Sequence, residues 1–248
     1  TMIHRFFNFL RQSLLTVLLV ILLALLAAGG WYLYQGRQLY ESVTSTTPIS
    51  ALYDNIRGRT HYAAYDELPQ TYINAVICTE DEHFMTHKGI DPGAILRALA
   101  ADIRSRSLAE GGSTLTQQLA KNVLFTQEKR MTRKAAEVFA AIDIEKAYSK
   151  QQIFEMYVNT IYFGNGCYGI EEAAEGYFGK TASQLTDAES VVLAGLPNAP
   201  SAYASSPELA LKRTQTVLKR MVKCRALTQE QADAIVSEAQ SLGLLTAA

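Results

Sequence analysis

The chain has 248 residues, 48% of them hydrophobic and 19% charged, with a net charge of −1 and a pI near 6.4. That composition excludes a disordered chain, and the neutral balance excludes a general nucleic-acid binder, whose footprint is basic. The three cysteines, Cys78, Cys167 and Cys224, are odd in number and widely spaced, so they read as small buried residues with no metal role.

Between Arg11 and Arg37 there is no charge, and Leu14–Tyr34 is almost continuously apolar. A helix of that length, at about 1.5 Å rise per residue, spans a ~30 Å hydrocarbon core. Trp31, Tyr32 and Tyr34 fit an aromatic belt at its end. Arg5 and Arg11 precede the span, which predicts a short cytoplasmic tail over 1–13 and a transmembrane helix over 14–34, with the rest of the chain outside. A cleaved signal peptide, with "AAGG" as its cleavage site, is the competing reading; the apolar run exceeds the roughly 7–15 residues such a segment needs. Residues 35–60, containing "SVTSTTPIS", lack sustained periodicity and predict a linker or stalk.

From His61 to the end, one mainly helical domain is predicted. Asp91-Pro92 starts a helix over "GAILRALAADIRS" with proline at its first position. Capping boxes pair Thr114 with Gln117, Ser149 with Gln152, Thr186 with Glu189 and Thr228 with Gln231. Ser206-Pro207 starts another helix, and "NTIYFG" is the best strand-like run.

Three clusters carry candidate chemistry. In "TEDEHFMTHKG", residues 79–89, a continuous helix would place Glu80, Phe84 and His87 on one face. His83 and His87 have zinc-ligand spacing, but the glutamate of a zincin helix and a third ligand are missing. An acidic solvated face is the plain reading of this stretch; a glutamate beside aromatic surface, suited to act as a base, is the functional one. In "EGGSTLTQQLAKN", residues 110–122, Gln117 and Lys121 continue a polar stripe with Thr114 beyond what capping needs. Free N–H groups at a helix start plus a lysine one turn in suit an anion, and the spacing is not that of a Walker loop. In "EKRMTRKAAEVF", residues 128–139, Arg133 and Glu137 are spaced for an ordinary ion pair. Alternatively Arg133, Lys134 and Lys129 or Arg130 meet a diphosphate, while Glu137 orients them or binds a bridging cation. The stretch from Arg97 to Lys134 carries eight basic and three acidic residues, a local excess of +5 inside a neutral chain.

With these clusters in order, the sequence resembles the family 51 peptidoglycan glycosyltransferases, the glycan-polymerising module of class A penicillin-binding proteins and their monofunctional relatives. The family pattern Glu-Asp-x-x-Phe-x-x-His-x-Gly is matched from Glu80 to Gly89, and Gly-x-Ser-Thr-x-Thr-Gln-Gln from Gly111 to Gln118. Arg-Lys-x-x-Glu is matched from Arg133 to Glu137, "KQQIFEMYVN" carries Glu155 and Asn159, and "GNGCYGIEEAAEGYFGK" ends at Lys180. The similarity covers roughly residues 61–230. One departure is Lys129, where the family often has arginine; Arg130 follows it. No Ser-x-x-Lys occurs, so this stretch of chain carries no transpeptidase signature.

The resemblance implies a helical, partly lysozyme-like fold with a small membrane-associated lobe, for which "AILRALAADIRS" with Arg97 and Arg104 is the candidate. It implies polymerisation of lipid II into β-1,4 glycan strands with inversion and release of polyprenyl diphosphate. Glu80 and Glu137 are the catalytic candidates. Asp81, Phe84, His87, Arg97, Ser113, Thr116, Gln117, Gln118, Lys121, Asn122, Lys129, Arg130, Arg133, Lys134 and Glu155 are the binding candidates. A divalent cation, magnesium or manganese, at Glu137 is left open. The implied partners are lipid II, the growing glycan chain and the bilayer, with other cell-wall synthesis proteins open and nucleic acid excluded. A wall-cleaving glycosidase or lytic transglycosylase is the rival enzyme, and a membrane-tethered scaffold the non-catalytic alternative.

Overall fold

A computed structural model of the chain describes residues 2–105, 111–126 and 131–243. Lys129 and Arg130 lie outside the described residues. The first helix, α1, is Met2–Thr46, and Phe6–Thr46 is long and apolar enough to cross a membrane. The linker predicted over 35–60 is therefore not a flexible stalk: α1 runs through its first half, and α2, Leu52–Arg57, occupies much of the rest. The ordering is tertiary. Gly36 and Tyr40, one turn apart, are buried against α6, Met131–Ala147.

The body is built around α9, Asp187–Gly195, in which every residue from Ala188 to Gly195 is buried. The helix α3, Gln70–Glu80, packs between α9 and α11, Pro207–Lys223, and buries Tyr72, Ile73, Ala75 and Val76. A second layer comprises α5, Leu115–Leu124, with α6 on one side and α7, Lys150–Val158, on the other. The small sheet is an antiparallel hairpin of β1, Tyr162–Gly164, and β2, Cys167–Tyr168, with Tyr162 opposite Tyr168. Its turn uses positive φ at Gly164, Asn165 and Gly166. After it come α8, Ile170–Phe178, the short α10, Pro200–Ser205, and the terminal α12, Gln229–Ser241. The four predicted capping boxes start α5, α7, α9 and α12, each with its hydroxyl accepting the N3 amide.

The helix α4, Pro92–Ser105, stands apart from this body. Ile95, Leu96 and Leu99 are 46%, 66% and 55% exposed, a row of large apolar side chains that the rest of the chain does not cover.

Glu155 and Asn159 close the fold from α7. Glu155 accepts hydrogen bonds from the hydroxyls of Tyr53 and Tyr62 and from the Tyr65 amide. Asn159, fully buried, takes the Ala63 N–H at 2.9 Å and donates to the carbonyls of Ala63 and Glu155. Replacing Asn159 by alanine takes this partner from the Ala63 N–H and carbonyl, while the Glu155 carbonyl keeps the Asn159 amide. An Asn159→Ala protein is expected to lose about 3 kcal/mol, a Tm drop of roughly 6–12 °C, in thermal unfolding followed by circular dichroism.

Candidate active site

Glu80 is the last residue of α3, and the helix stops there. The single face predicted for Glu80, Phe84 and His87 is thus not formed: residues 82–89 make turns instead. The cause is Asp81. Its Oδ2 accepts the Leu115 N–H at 2.8 Å and the His87 Nε2–H at 2.8 Å, partners that a continuing helix could not offer. The Gly89 amide donates to His87 Nδ1 at 3.1 Å, which fixes the ring with its proton on Nε2. Gly89 has a φ of +96°, and a Cβ there would stand 2.9 Å from the Ala141 backbone, so only glycine lets the turn lie this close to α6. The Gly89 carbonyl in turn accepts from Thr114 Oγ1 at 2.7 Å. The two motifs are joined by these bonds, and Glu80 is left facing outward.

Glu80 lines a cavity of about 430 Å³ together with Asp81, Arg97, Ser113 and, from α11, Arg220. Its two oxygens are engaged: Oε1 takes Arg213 of α11 at 2.9 Å and Oε2 takes the Gln118 amide of α5 at 3.3 Å. Gln118 is itself held by the Tyr157 hydroxyl at 3.2 Å. Burial, reinforced by the Glu80 charge, pushes the Tyr157 phenol well above its ordinary range and keeps it a donor. Arg213 reaches Glu80 across Gly195, where a Cβ would meet its side chain at 3.1 Å, and it also donates to the Gly195 carbonyl. Arg220 donates to the carbonyl of Thr79, one residue before Glu80.

Farther along the cleft, Lys134 Nζ donates to Ser113 Oγ at 2.6 Å and to Glu137 Oε2 at 3.0 Å, while Arg133 Nε donates to Glu137 Oε1 at 2.8 Å. Glu137 is only 1% exposed. Of the two roles predicted for it, orienting the cations fits this geometry. Both Glu137 oxygens serve cationic side chains in this arrangement. Lys121 and Asn122 are half-buried on the face of α5 that Gln118 presents toward Glu80.

Several predicted binding residues stand behind this surface. Phe84 is a core residue, 1% exposed, and His87 is buried against Asp81. Gln117, predicted as a ligand, closes the capping box with Thr114, and Thr116 bonds Glu145 at 2.6 Å. Glu145 is also paired with Lys150, whose ammonium lies 4.6 Å over the Phe84 ring. Glu155 is enclosed by the tyrosines of the α2 region, away from the cleft. Arg97 does line the cavity, 3.6 Å from Asp91.

Sequence reasoning missed Arg213 and Arg220; Asp91, read from sequence only as a helix start, also lines the cavity. The arginines recur seven apart on α11, flanking the buried Val217, a signal present but not tied to Glu80. The cysteines also differ from expectation: Cys78 and Cys224 are half-buried on the same cavity wall, where burial and the neighbouring Cys224 thiol push the Cys78 thiol up.

Comparison with known proteins assigns the class. The sequence model of the transglycosylase family matches residues 46–222, so the family region opens inside the predicted linker and ahead of residue 61. The chain belongs to this family. Penicillin-binding protein 1A of Aquifex aeolicus is 45% identical over 179 residues, 71% of this chain and 25% of that protein. Penicillin-binding protein 1A of Escherichia coli is 44% identical over 176 residues, covering 70% and 21%. Penicillin-binding protein 2D of Bacillus subtilis is 36% identical over 247 residues, covering 92% and 36%. The chain thus spans a fifth to just over a third of the length of these relatives.

Asp91 starts α4, its Oδ1 accepting the Ala94 N–H at 3.0 Å and its Oδ2 meeting His83 Nδ1 at 2.6 Å. Burial alone would raise its pKa; the bonds from His83 and Ala94 outweigh burial and hold the carboxyl below its ordinary value. A depressed folded pKa gives stability that is complete above the unfolded value of about 4 and is lost as pH falls through the folded one. Asp91→Ala is therefore expected to cost roughly 1 kcal/mol at pH 7, a gap that narrows steadily as the pH is taken below about 4. Paired thermal melts across that range check it, and a gap that stays constant contradicts the assignment.

Proposed function

We propose that the chain polymerises lipid II into β-1,4 glycan strands, with Glu80 as the general base. The observation that carries this reading is the setting of Glu80: a carboxylate at a helix end, open to the cavity, accepting from Arg213 and Gln118 at 2.9 and 3.3 Å. Both neighbours are donors, so Glu80 is arranged to take a proton rather than to give one. It accepts the proton of the acceptor sugar's 4-hydroxyl as that oxygen attacks the anomeric carbon of the growing chain. The bond from that carbon to the diphosphate breaks on the opposite face, and polyprenyl diphosphate departs with inversion.

Charge builds up on the diphosphate, and stabilising it is usually the largest contribution to such a step. Lys121, Arg133 and Lys134 supply cations, with Lys129 and Arg130 as further candidates from sequence. Glu137 acts through these cations: buried and doubly bonded, it fixes where Arg133 and Lys134 point. Ser113, Gln118 and Asn122 hold the sugar and phosphate oxygens. A wall-cleaving glycosidase needs no diphosphate site, so this cationic arm of the cleft favours synthesis.

The substrate's polyprenyl tail places the reaction at a membrane. The apolar length of α1 and the uncovered Ile95, Leu96 and Leu99 of α4 suit a chain anchored in the bilayer and dipping into it. Arg5 and Arg11, ahead of the apolar stretch, support an orientation with the N-terminus in the cytoplasm and the catalytic domain outside.

Purified Glu80→Gln protein is expected to fold with a wild-type circular dichroism spectrum and to make no polymer from lipid II; undiminished polymer would sink the assignment. Arg213→Ala should lower the polymerisation rate by roughly tenfold or more, the scale on which a displaced catalytic group is felt. Arg213→Lys should retain part of the rate, because lysine keeps the charge but lacks the reach to both Glu80 and Gly195.

A further inference from the structure

Where α1 leaves its apolar stretch, it runs onto α6. Gly36 faces Ala135, Arg37 stacks over the rings of Tyr40 and Phe139, and the Tyr40 hydroxyl donates to Asp143 at 2.5 Å. Contacts advance in the same order along both helices, so they run parallel and start from the same end of the molecule. Approach is closest at Gly36. A Cβ there would sit 2.5 Å from Ala135 Cβ and 2.9 Å from the Ala136 nitrogen, well inside ordinary contact. Gly29 and Gly30, on the same helix, have nothing within 4 Å of such an atom.

Ala135 and Ala136 lie between Lys134 and Glu137 in the chain. The tightest point of the seam therefore backs onto the turn of α6 that carries Arg133, Lys134 and Glu137. Gly36 also follows Trp31, Tyr32 and Tyr34 by only a few residues, where an apolar span would meet the headgroups.

We propose that Gly36 is a positioning residue. The close seam it permits between α1 and α6 sets the height of the Arg133–Lys134–Glu137 cluster over the bilayer, level with the diphosphate of a lipid-held substrate. This rests on the lipid II reading of the site. The distance between packed helices is set by the side chains at their contact, so a methyl at Gly36 moves α6 relative to the anchor. The match matters only when substrate and anchor share one plane, as they do in a bilayer and do not in a detergent micelle.

The test compares full-length wild type, Gly36→Ala and Gly30→Ala for polymerisation of lipid II, in phospholipid vesicles and in detergent micelles. In vesicles Gly36→Ala is expected to raise the KM for lipid II by roughly tenfold, below the roughly hundredfold that a 1 Å misplacement can reach, with kcat within about twofold. In micelles both constants should match wild type within about twofold, and Gly30→Ala should match it in both media. Adding Ala135→Gly to Gly36→Ala removes the atom at 2.5 Å and should recover part of the lost KM, the Ala136 nitrogen at 2.9 Å remaining close. An unchanged KM in vesicles overturns the proposal. An equal loss in both media overturns it too, because that is the mark of a damaged fold. If wild type makes no polymer in either medium, the reading of the site fails first, and this proposal falls with it.

Discussion

One carboxylate oxygen, Asp81 Oδ2, decides how this cleft is assembled. It ends α3 after Glu80 by drawing the chain toward His87, and it holds the first amide of α5. A helix start has unpaired N–H groups that need acceptors, and here the acceptor comes from the residue next to Glu80. Glu80 and the helix that carries Gln118, Lys121 and Asn122 are thus registered to each other through one residue. Around this joint lies a buried polar network of His87, Gly89, Thr114, Thr116, Glu145 and Lys150. Such a network is worth most when every member is satisfied, which explains why residues that resemble ligands in the sequence are spent on internal bonds.

The cleft has two ends of different character. At Glu80 the neighbours are donors and the carboxylate lines the cavity; at Glu137 the carboxylate is enclosed by the cations of Arg133 and Lys134. Two glutamates with similar sequence prominence thus differ in exposure and in partners. Ser113 connects the ends, since it lines the cavity and accepts from Lys134.

Much of this was legible in the sequence where the determinants are local. A capping box is a relation between residues three apart, so Thr114–Gln117 and its three counterparts could be read directly, and the helices they start formed as expected. The ordered motifs also led to the family. What escaped depends on tertiary partners. Periodicity carried a helix past Glu80 because nothing nearby shows that Asp81 prefers Leu115 and His87. Arg213 is 133 residues from Glu80 and looked like one more charge on an amphipathic helix. Residues 36–46 seemed a polar stalk because their stripe of Gly36 and Tyr40 contains a glycine, which a hydrophobic pattern does not count as an inward position. Glu155 stands out in the sequence only through its family motif, while its partners in the fold, Tyr53 and Tyr62, precede it by about a hundred positions.

That last distance bears on how the chain folds as it is made. The segment containing Tyr53, Tyr62 and Tyr65 is synthesised first, yet its acceptor, Glu155, emerges 102, 93 and 90 residues later. Until α7 appears, these aromatic side chains have no buried acceptor and no α7 surface to cover them. Closing so long a loop is entropically costly and slow compared with forming a helix, so the tyrosine clasp belongs to the late stages of folding. Synthesis order leaves the α2 region exposed while the motif-bearing helices that follow are still being made. Its aromatic content, useful in the finished protein, is in the meantime a sticky surface beside a membrane-seeking helix.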